Sequence, residues 1–62
     1  MRAIAKDKNG TERCYGDGDT ADEAWNNCYR EAWQYMLGRK DIKELHIYIE
    51  EKCREVIHGN DF

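Results

Sequence analysis

The sequence predicts an α+β fold in a single small domain spanning residues 1–62, and three observations carry that expectation. Asp7-Lys8-Asn9-Gly10 stands between two short segments suited to strands. Residues from about 20 to 37 combine capping chemistry with apolar positions at helical spacing, and residues 41–58 repeat apolar positions over four further turns. The expected arrangement is an N-terminal β-hairpin packed on a long helix and a second, C-terminal helix.

The hairpin comes first. Asp at the first position and Gly in the left-handed position suit a type I turn that closes with a glycine bulge. That register sets Lys6 opposite Glu12 and Ile4 opposite Cys14. A two-residue Asn-Gly turn would instead oppose Lys6 to Arg13 and Asp7 to Glu12, two like-charge pairs that resist pairing. In the favoured register one face carries Ile4 and Cys14, and the other carries Ala3, Ala5, Arg13 and Tyr15.

The long helix follows. Asp19 or Thr20 supplies an N-cap, Asp22 and Glu23 complement the dipole in the first turn, and Gly38 is the expected left-handed stop after Leu37. Ala24, Trp25, Cys28, Ala32, Tyr35 and Met36 form a broad apolar stripe for packing on the hairpin. Tyr29, Trp33 and Leu37 form a second stripe that a hairpin alone would leave uncovered.

The last segment reads two ways. Leu45, Ile47 and Ile49 alternate as a strand does, while Ile42, Leu45, Ile49, Cys53, Val56 and Ile57 keep helical spacing. The longer pattern predicts a helix over 41–58, with a capping-box outline at Asp41 and Glu44 and a stop at Gly59-Asn60. It would cover the Trp33 stripe and leave Ile47 and Tyr48 off its apolar face. The alternative is a ββαβ arrangement in which residues 44–50 are a third antiparallel strand.

Composition narrows the class. A chain of 62 residues has room for one small core, which argues against a buried catalytic cleft. Charged residues at 37%, apolar residues at 40% and no proline argue against a membrane span and against a disordered tail. Met1-Arg2-Ala3-Ile4-Ala5-Lys6 lacks the apolar run of a secretion signal, so a cytoplasmic location is expected. Cys14, Cys28 and Cys53 are odd in number and widely spaced, which predicts reduced, mostly buried thiols rather than a disulfide framework.

Metal and catalytic readings fail on spacing. Counting from Asp17 as a first calcium ligand puts Ala21 at a ligand position, Asp22 at the glycine and Cys28 at the closing glutamate. Cys14, Cys28, Cys53 and His58 are chemically suited to zinc, yet no two form a CxxC or HxxxH pair, and packing roles are expected for the cysteines. No glycine-rich phosphate loop or serine motif is present. The expectation is no enzyme, no metal and no cofactor.

Charge is the clearest functional signal. Between Gly16 and Glu31 five carboxylates, Asp17, Asp19, Asp22, Glu23 and Glu31, face one cation, Arg30, a local balance of −4 in a chain of net charge −3. A smaller set of cations, Arg2, Lys6, Lys8 and Arg13 beside Tyr15, lies on the hairpin, interleaved with Asp7 and Glu12.

Three resemblances bear on these residues. Gly16-x-Gly18-x-Thr20-x-x-x-Ala24-x-x-x-Cys28-x-x-x-Ala32, entered from a hairpin, resembles the last strand and helix of double-stranded-RNA-binding domains over less than a third of the chain. The Lys-Lys pair that contacts phosphate in that family is replaced here by Ala21 and Asp22, so no RNA-binding residue carries over. Gly18-Asp19-Thr20-Ala21-Asp22-Glu23-Ala24 resembles the turn into the helix of HicB-type antitoxins, though their longer sheet between hairpin and cap is missing. In general character, small, acidic and aromatic-rich without a cofactor signature, the chain resembles phage and mobile-element inhibitors of the anti-CRISPR type.

That last resemblance implies a cytoplasmic binding module that blocks a basic nucleic-acid-handling surface on a larger protein or ribonucleoprotein complex. Asp17, Asp19, Asp22, Glu23 and Glu31 would form its electrostatic face, with Trp33, Ile47 and Tyr48 as apolar contacts, in a monomer or homodimer. Two other classes stand beside it: an antitoxin-like or regulatory protein-interaction module, and a weak nucleic-acid binder using the hairpin cations. The same carboxylates also suffice as a plain solvated helix cap.

Overall fold

The structure, a computed structural model, describes residues 1–59 and has the order ββαββ. Strands β1 (Arg2–Lys6), β2 (Glu12–Asp17), β3 (Glu44–Ile49) and β4 (Lys52–His58) form one antiparallel sheet in the order β2-β1-β3-β4. The helix α1 (Ala21–Gly38) packs on one face of it. The α+β class is as expected, and the strand within 44–50 matches the alternative arrangement. The second helix over 41–58 is absent: that stretch is a β-hairpin.

The reason lies in what each periodicity buries. In β3, alternation sends Leu45, Ile47 and Ile49 into the core, at 0, 0 and 9% exposure. Helical spacing would have buried Cys53 and Val56 as well, and both are exposed. Two runs rich in β-branched residues close on each other through Glu50-Glu51, and Asp41 pairs with Arg39 instead of capping a helix (Nε–Oδ1 3.0 Å, Nη2–Oδ2 2.9 Å). Of the expected stop, Gly59 donates its N–H to the Lys43 carbonyl at 3.0 Å, and Asn60 lies outside the described residues.

The first hairpin turn has the expected chemistry. Gly10 takes φ +84°, and its N–H donates to the Asp7 carbonyl at 3.0 Å. The buried Asp7 carboxylate accepts from the N–H groups of Asn9 and Thr11 and from Arg13 Nε, at 2.9–3.0 Å. These donors, with Thr11 first, hold Asp7 below the usual carboxylate range. The register differs beyond Lys6–Glu12: a bulge at Arg13 pairs Ala5 with Cys14 and Ile4 with Tyr15. Ala3, Ala5, Cys14 and Gly16 therefore share the helix-facing side, and Ile4 and Tyr15 turn away.

Thr20 is the N-cap. Its Oγ1 accepts from Glu23 N at 3.1 Å, and the Glu23 carboxylate reaches back to Asp19 N at 2.9 Å. Replacing Thr20 with Ala should lower stability by about 1 kcal/mol in urea denaturation followed by circular dichroism. Gly38 is not a left-handed stop: the helix runs through it and ends at Arg39, φ −130°, whose N–H donates to the Met36 carbonyl at 3.3 Å.

Ala24, Cys28, Ala32 and Met36 make the buried face of α1, one residue per turn. Small residues on the helix meet small residues on β1 and β2, so the helix seats close on that half of the sheet. A Cβ at Gly16 would come 2.2 Å from Cys28 N, and one at Gly18 would come 2.5 Å from Ala24 N. Bulkier Leu45, Ile47, Ile49 and Ile57 fill the other half. Trp25, Tyr29 and Trp33 pack partly buried against the core, their successive ring centroids 5.0 and 6.1 Å apart. The stripe assigned to a second helix is thus settled by the first: Tyr29 and Trp33 are half-buried and Leu37 is exposed. No helix among the described residues is long and apolar enough to cross a membrane.

Candidate functional site

Strand direction decides which charges meet. β1 begins beside the end of β2, Arg2 opposite Asp17, and beside the end of β3, Ala3 opposite Ile49. The start of α1 and the β3–β4 turn therefore lie at the same end of the molecule. Asp17, Asp19, Asp22 and Glu23 come to that pole from one segment, and Glu50 and Glu51 come from another about thirty residues away.

Cations outside the acidic segment also return to it. Arg2 holds Asp17 in a bidentate pair (Nε–Oδ1 2.7 Å, Nη2–Oδ2 3.2 Å), which raises the arginine and lowers the carboxylate from their ordinary values. Arg54 Nη2 donates to Asp22 Oδ1 at 2.7 Å while its guanidinium lies 5.4 Å from the Trp25 ring centroid. The N-terminal ammonium donates to the Gly18 carbonyl at 2.8 Å. Among the described residues, Asp19, Glu23, Glu50 and Glu51 are in no ion pair. Glu31 lies apart from them, along a groove between β2 and α1 lined also by Cys14, Asp17 and Asn27.

The β3–β4 turn has only two residues between the paired Ile49 and Lys52. Glu50 and Glu51 take φ of +52° and +68°, the sign pattern of a type I′ turn, for which Asn-Gly is the usual pair. Side chains with a Cβ occupy that region at a cost of about 1–2 kcal/mol each.

The expected apolar contacts do not form one surface. Ile47 is fully buried between sheet and helix, so it is a core residue. Trp33 sits half-buried on α1, and Tyr48 is on the opposite side of the sheet, with Lys6 Nζ 4.9 Å from its ring centroid. That side has no covering element. Tyr15, Ile4, Tyr48 and Cys53 make a row across its four strands by register, and Val56 lies beside them opposite His46. Tyr15 is 54% exposed and Arg2 lies 4.2 Å from its ring centroid.

The hairpin cations are dispersed: Arg2 on Asp17, Arg13 on Asp7 at 2.8 Å, and Lys6 over Tyr48. The cysteines are dispersed too. Cys28 is buried, Cys14 half-buried, and Cys53 is exposed rather than in the core, three strands away from Cys14. No group of three or more His, Cys, Asp or Glu among the described residues is placed to hold a metal. His46 Nε2 is 2.8 Å from Glu44 Oε2 on the uncovered side. No protein-family model, curated protein or solved structure matches this chain.

Sequence reasoning missed Glu50 and Glu51. The available signal was the alternation of Leu45, Ile47 and Ile49 ending at a Glu-Glu pair, which places that pair in a turn once the segment is read as strand.

Proposed function

We propose that the protein is a non-enzymatic binding module, an inhibitor of the anti-CRISPR kind from a phage or mobile element, that occupies a basic nucleic-acid-binding surface of a larger complex. The observation that carries this reading is the acidic pole assembled from two separate turns. Asp17 and Asp22 are neutralised locally, so Asp19, Glu23, Glu50 and Glu51 provide the field that competes with phosphate and steers association. Glu50 and Glu51 strengthen the argument, because a turn serving the fold alone would be more stable with residues that tolerate positive φ.

The test separates fold from function at one site. Replacing Glu50-Glu51 with Asn-Gly should raise unfolding free energy by about 1 kcal/mol or more, through relief of the two left-handed conformations. The same change should weaken binding to a basic partner complex. A variant that gains stability and binds as well as wild type would mean that the glutamates have no part in recognition.

A second reading rests on the uncovered sheet face. Tyr15, Ile4, Tyr48 and Val56 together suit an antitoxin-like or regulatory protein contact, a homodimer included. Under it, Tyr48→Glu would abolish association and charge changes at the pole would not.

A further inference from the structure

Cys14 and Cys28 meet across the seam between β2 and α1. Cys14 points from β2 towards the helix and is half-buried, and Cys28 is fully buried on the helix face turned to the sheet. The seam is close because Gly16, two residues further along the same side of β2, lies directly under the Cys28 backbone. The two thiols lie close enough for each to shift the titration of the other. Cys14 also lines the groove shared with Asp17, Asn27 and Glu31, which opens to solvent. Cys53, on the other side of the sheet and at its far edge, is remote from both.

We propose that Cys14 and Cys28 form an oxidation site at which a hydroperoxide oxidises Cys14 and Cys28 resolves the product into a disulfide that staples β2 to α1. In the first step the Cys14 thiolate attacks the terminal oxygen of the hydroperoxide. An S–O bond forms, the O–O bond breaks, and the alkoxide or hydroxide takes a proton and leaves as alcohol or water. In the second step the Cys28 sulfur attacks the Cys14 sulfenic acid. The S–S bond forms, and the departing hydroxide takes the Cys28 proton and leaves as water. Two thiols lose two electrons and the peroxide gains them.

The two sulfurs have different parts because their surroundings differ. The neighbouring Cys28 thiol lowers Cys14 from the ordinary thiol value, against burial and the nearby Glu31 carboxylate, whereas Cys14 and burial push Cys28 up. Cys14, half-buried and open to the groove, is the more accessible group and the more readily ionised of the two, as an attacking cysteine requires. The staple would close the segment that carries Gly16, Asp17, Gly18 and Asp19, tying the strand to the helix behind the acidic pole.

The experiment uses the full chain with the exposed thiol removed, Cys53→Ser, treated with stoichiometric hydrogen peroxide and mapped by peptide mass spectrometry. The expected product is a monomer about 2 Da lighter with its Cys14 and Cys28 peptides joined. Its thermal midpoint should be higher by roughly 10 °C or more, because a loop of this length is closed in the unfolded chain, and dithiothreitol should reverse the shift. With Cys28→Ala added, peroxide should leave Cys14 as a sulfenic acid captured by dimedone. With Cys14→Ser added instead, Cys28 should stay unmodified. The proposal is overturned if the folded Cys53→Ser protein keeps both thiols free under peroxide that modifies its urea-unfolded form. It is overturned equally if Cys14 proceeds to sulfinic acid with Cys28 present and no disulfide forms.

Discussion

Gly16→Ala is expected to remove most of the stability of this protein. The added Cβ would stand 2.2 Å from Cys28 N, 2.7 Å from Asn27 C and 2.8 Å from Cys28 Cα, all backbone atoms of a helix that cannot step aside by a rotamer change. Relief requires lifting α1 off β2, which opens the contacts of Ala24, Cys28 and Ala32 against Ala3, Ala5 and Cys14. Such a shift should cost roughly 4 kcal/mol or more. A domain of this length has only ~3–9 kcal/mol in total. Gly38→Ala is the internal contrast: nothing lies within 4 Å of the added methyl group, so the extra helix propensity should leave stability unchanged or raise it by up to ~1 kcal/mol. Urea denaturation of both variants by circular dichroism checks the pair. A Gly16→Ala midpoint equal to that of wild type would mean that the helix does not seat on β2 as described.

The second large effect concerns binding. Reversing Asp19, Glu50 and Glu51 to Lys takes the net charge from −3 to +3 without touching an ion pair, because these side chains are exposed and none of them is salt-bridged. Asp17 and Asp22 are less suitable targets, since a lysine there would stand against Arg2 or Arg54. Glu23 is excluded because its carboxylate helps to cap the helix. The triple reversal should keep the wild-type circular dichroism spectrum and weaken affinity for a basic partner by about 100-fold or more, with like charges now opposed across the interface. Unchanged affinity would place recognition elsewhere, with the uncovered face around Tyr15 and Tyr48 next in line.

What the sequence revealed and what it hid follow from the range of the forces involved. The Asp7 to Gly10 turn was legible because its hydrogen bonds are made within seven residues, Asp7 to Arg13, and the start of α1 was legible because Thr20 and Glu23 satisfy amides one turn away. The C-terminal hairpin was not. Its turn is Glu-Glu, which carries none of the Gly or Asn that marks a tight turn, and a bulge at Arg54 between Cys53 and Glu55 interrupts the alternation on β4. Ile42, Leu45, Ile49 and Cys53 therefore imitated helical spacing. The bulge at Arg13 likewise parted Ile4 and Cys14, expected on one face, by moving Cys14 to the side of Ala3 and Ala5, since one inserted residue turns every later side chain over.

The candidate site was legible in part for the same reason. The carboxylates from Asp17 to Glu23 are neighbours in sequence, so their accumulation was visible. Which of them retain unbalanced charge depends on Arg2 crossing a strand pair and on Arg54 reaching Asp22 from 32 residues away, and both contacts depend on strand order. The addition of Glu50 and Glu51 to the same pole depends on β3 running antiparallel to β1. Buried Ile47 could not be distinguished from half-buried Tyr48, on the opposite side of the sheet, until the segment was known to be a strand.

The affinity of the wild-type protein for the basic complex proposed as its partner, measured after nuclease treatment across a series of salt concentrations, tests the acidic pole most directly. The prediction is a protein complex that survives nuclease and weakens progressively from low to physiological salt, because unpaired carboxylates facing a cationic surface are screened within about 8–10 Å. An affinity that does not change with salt, or an association that disappears with the nucleic acid, would contradict it.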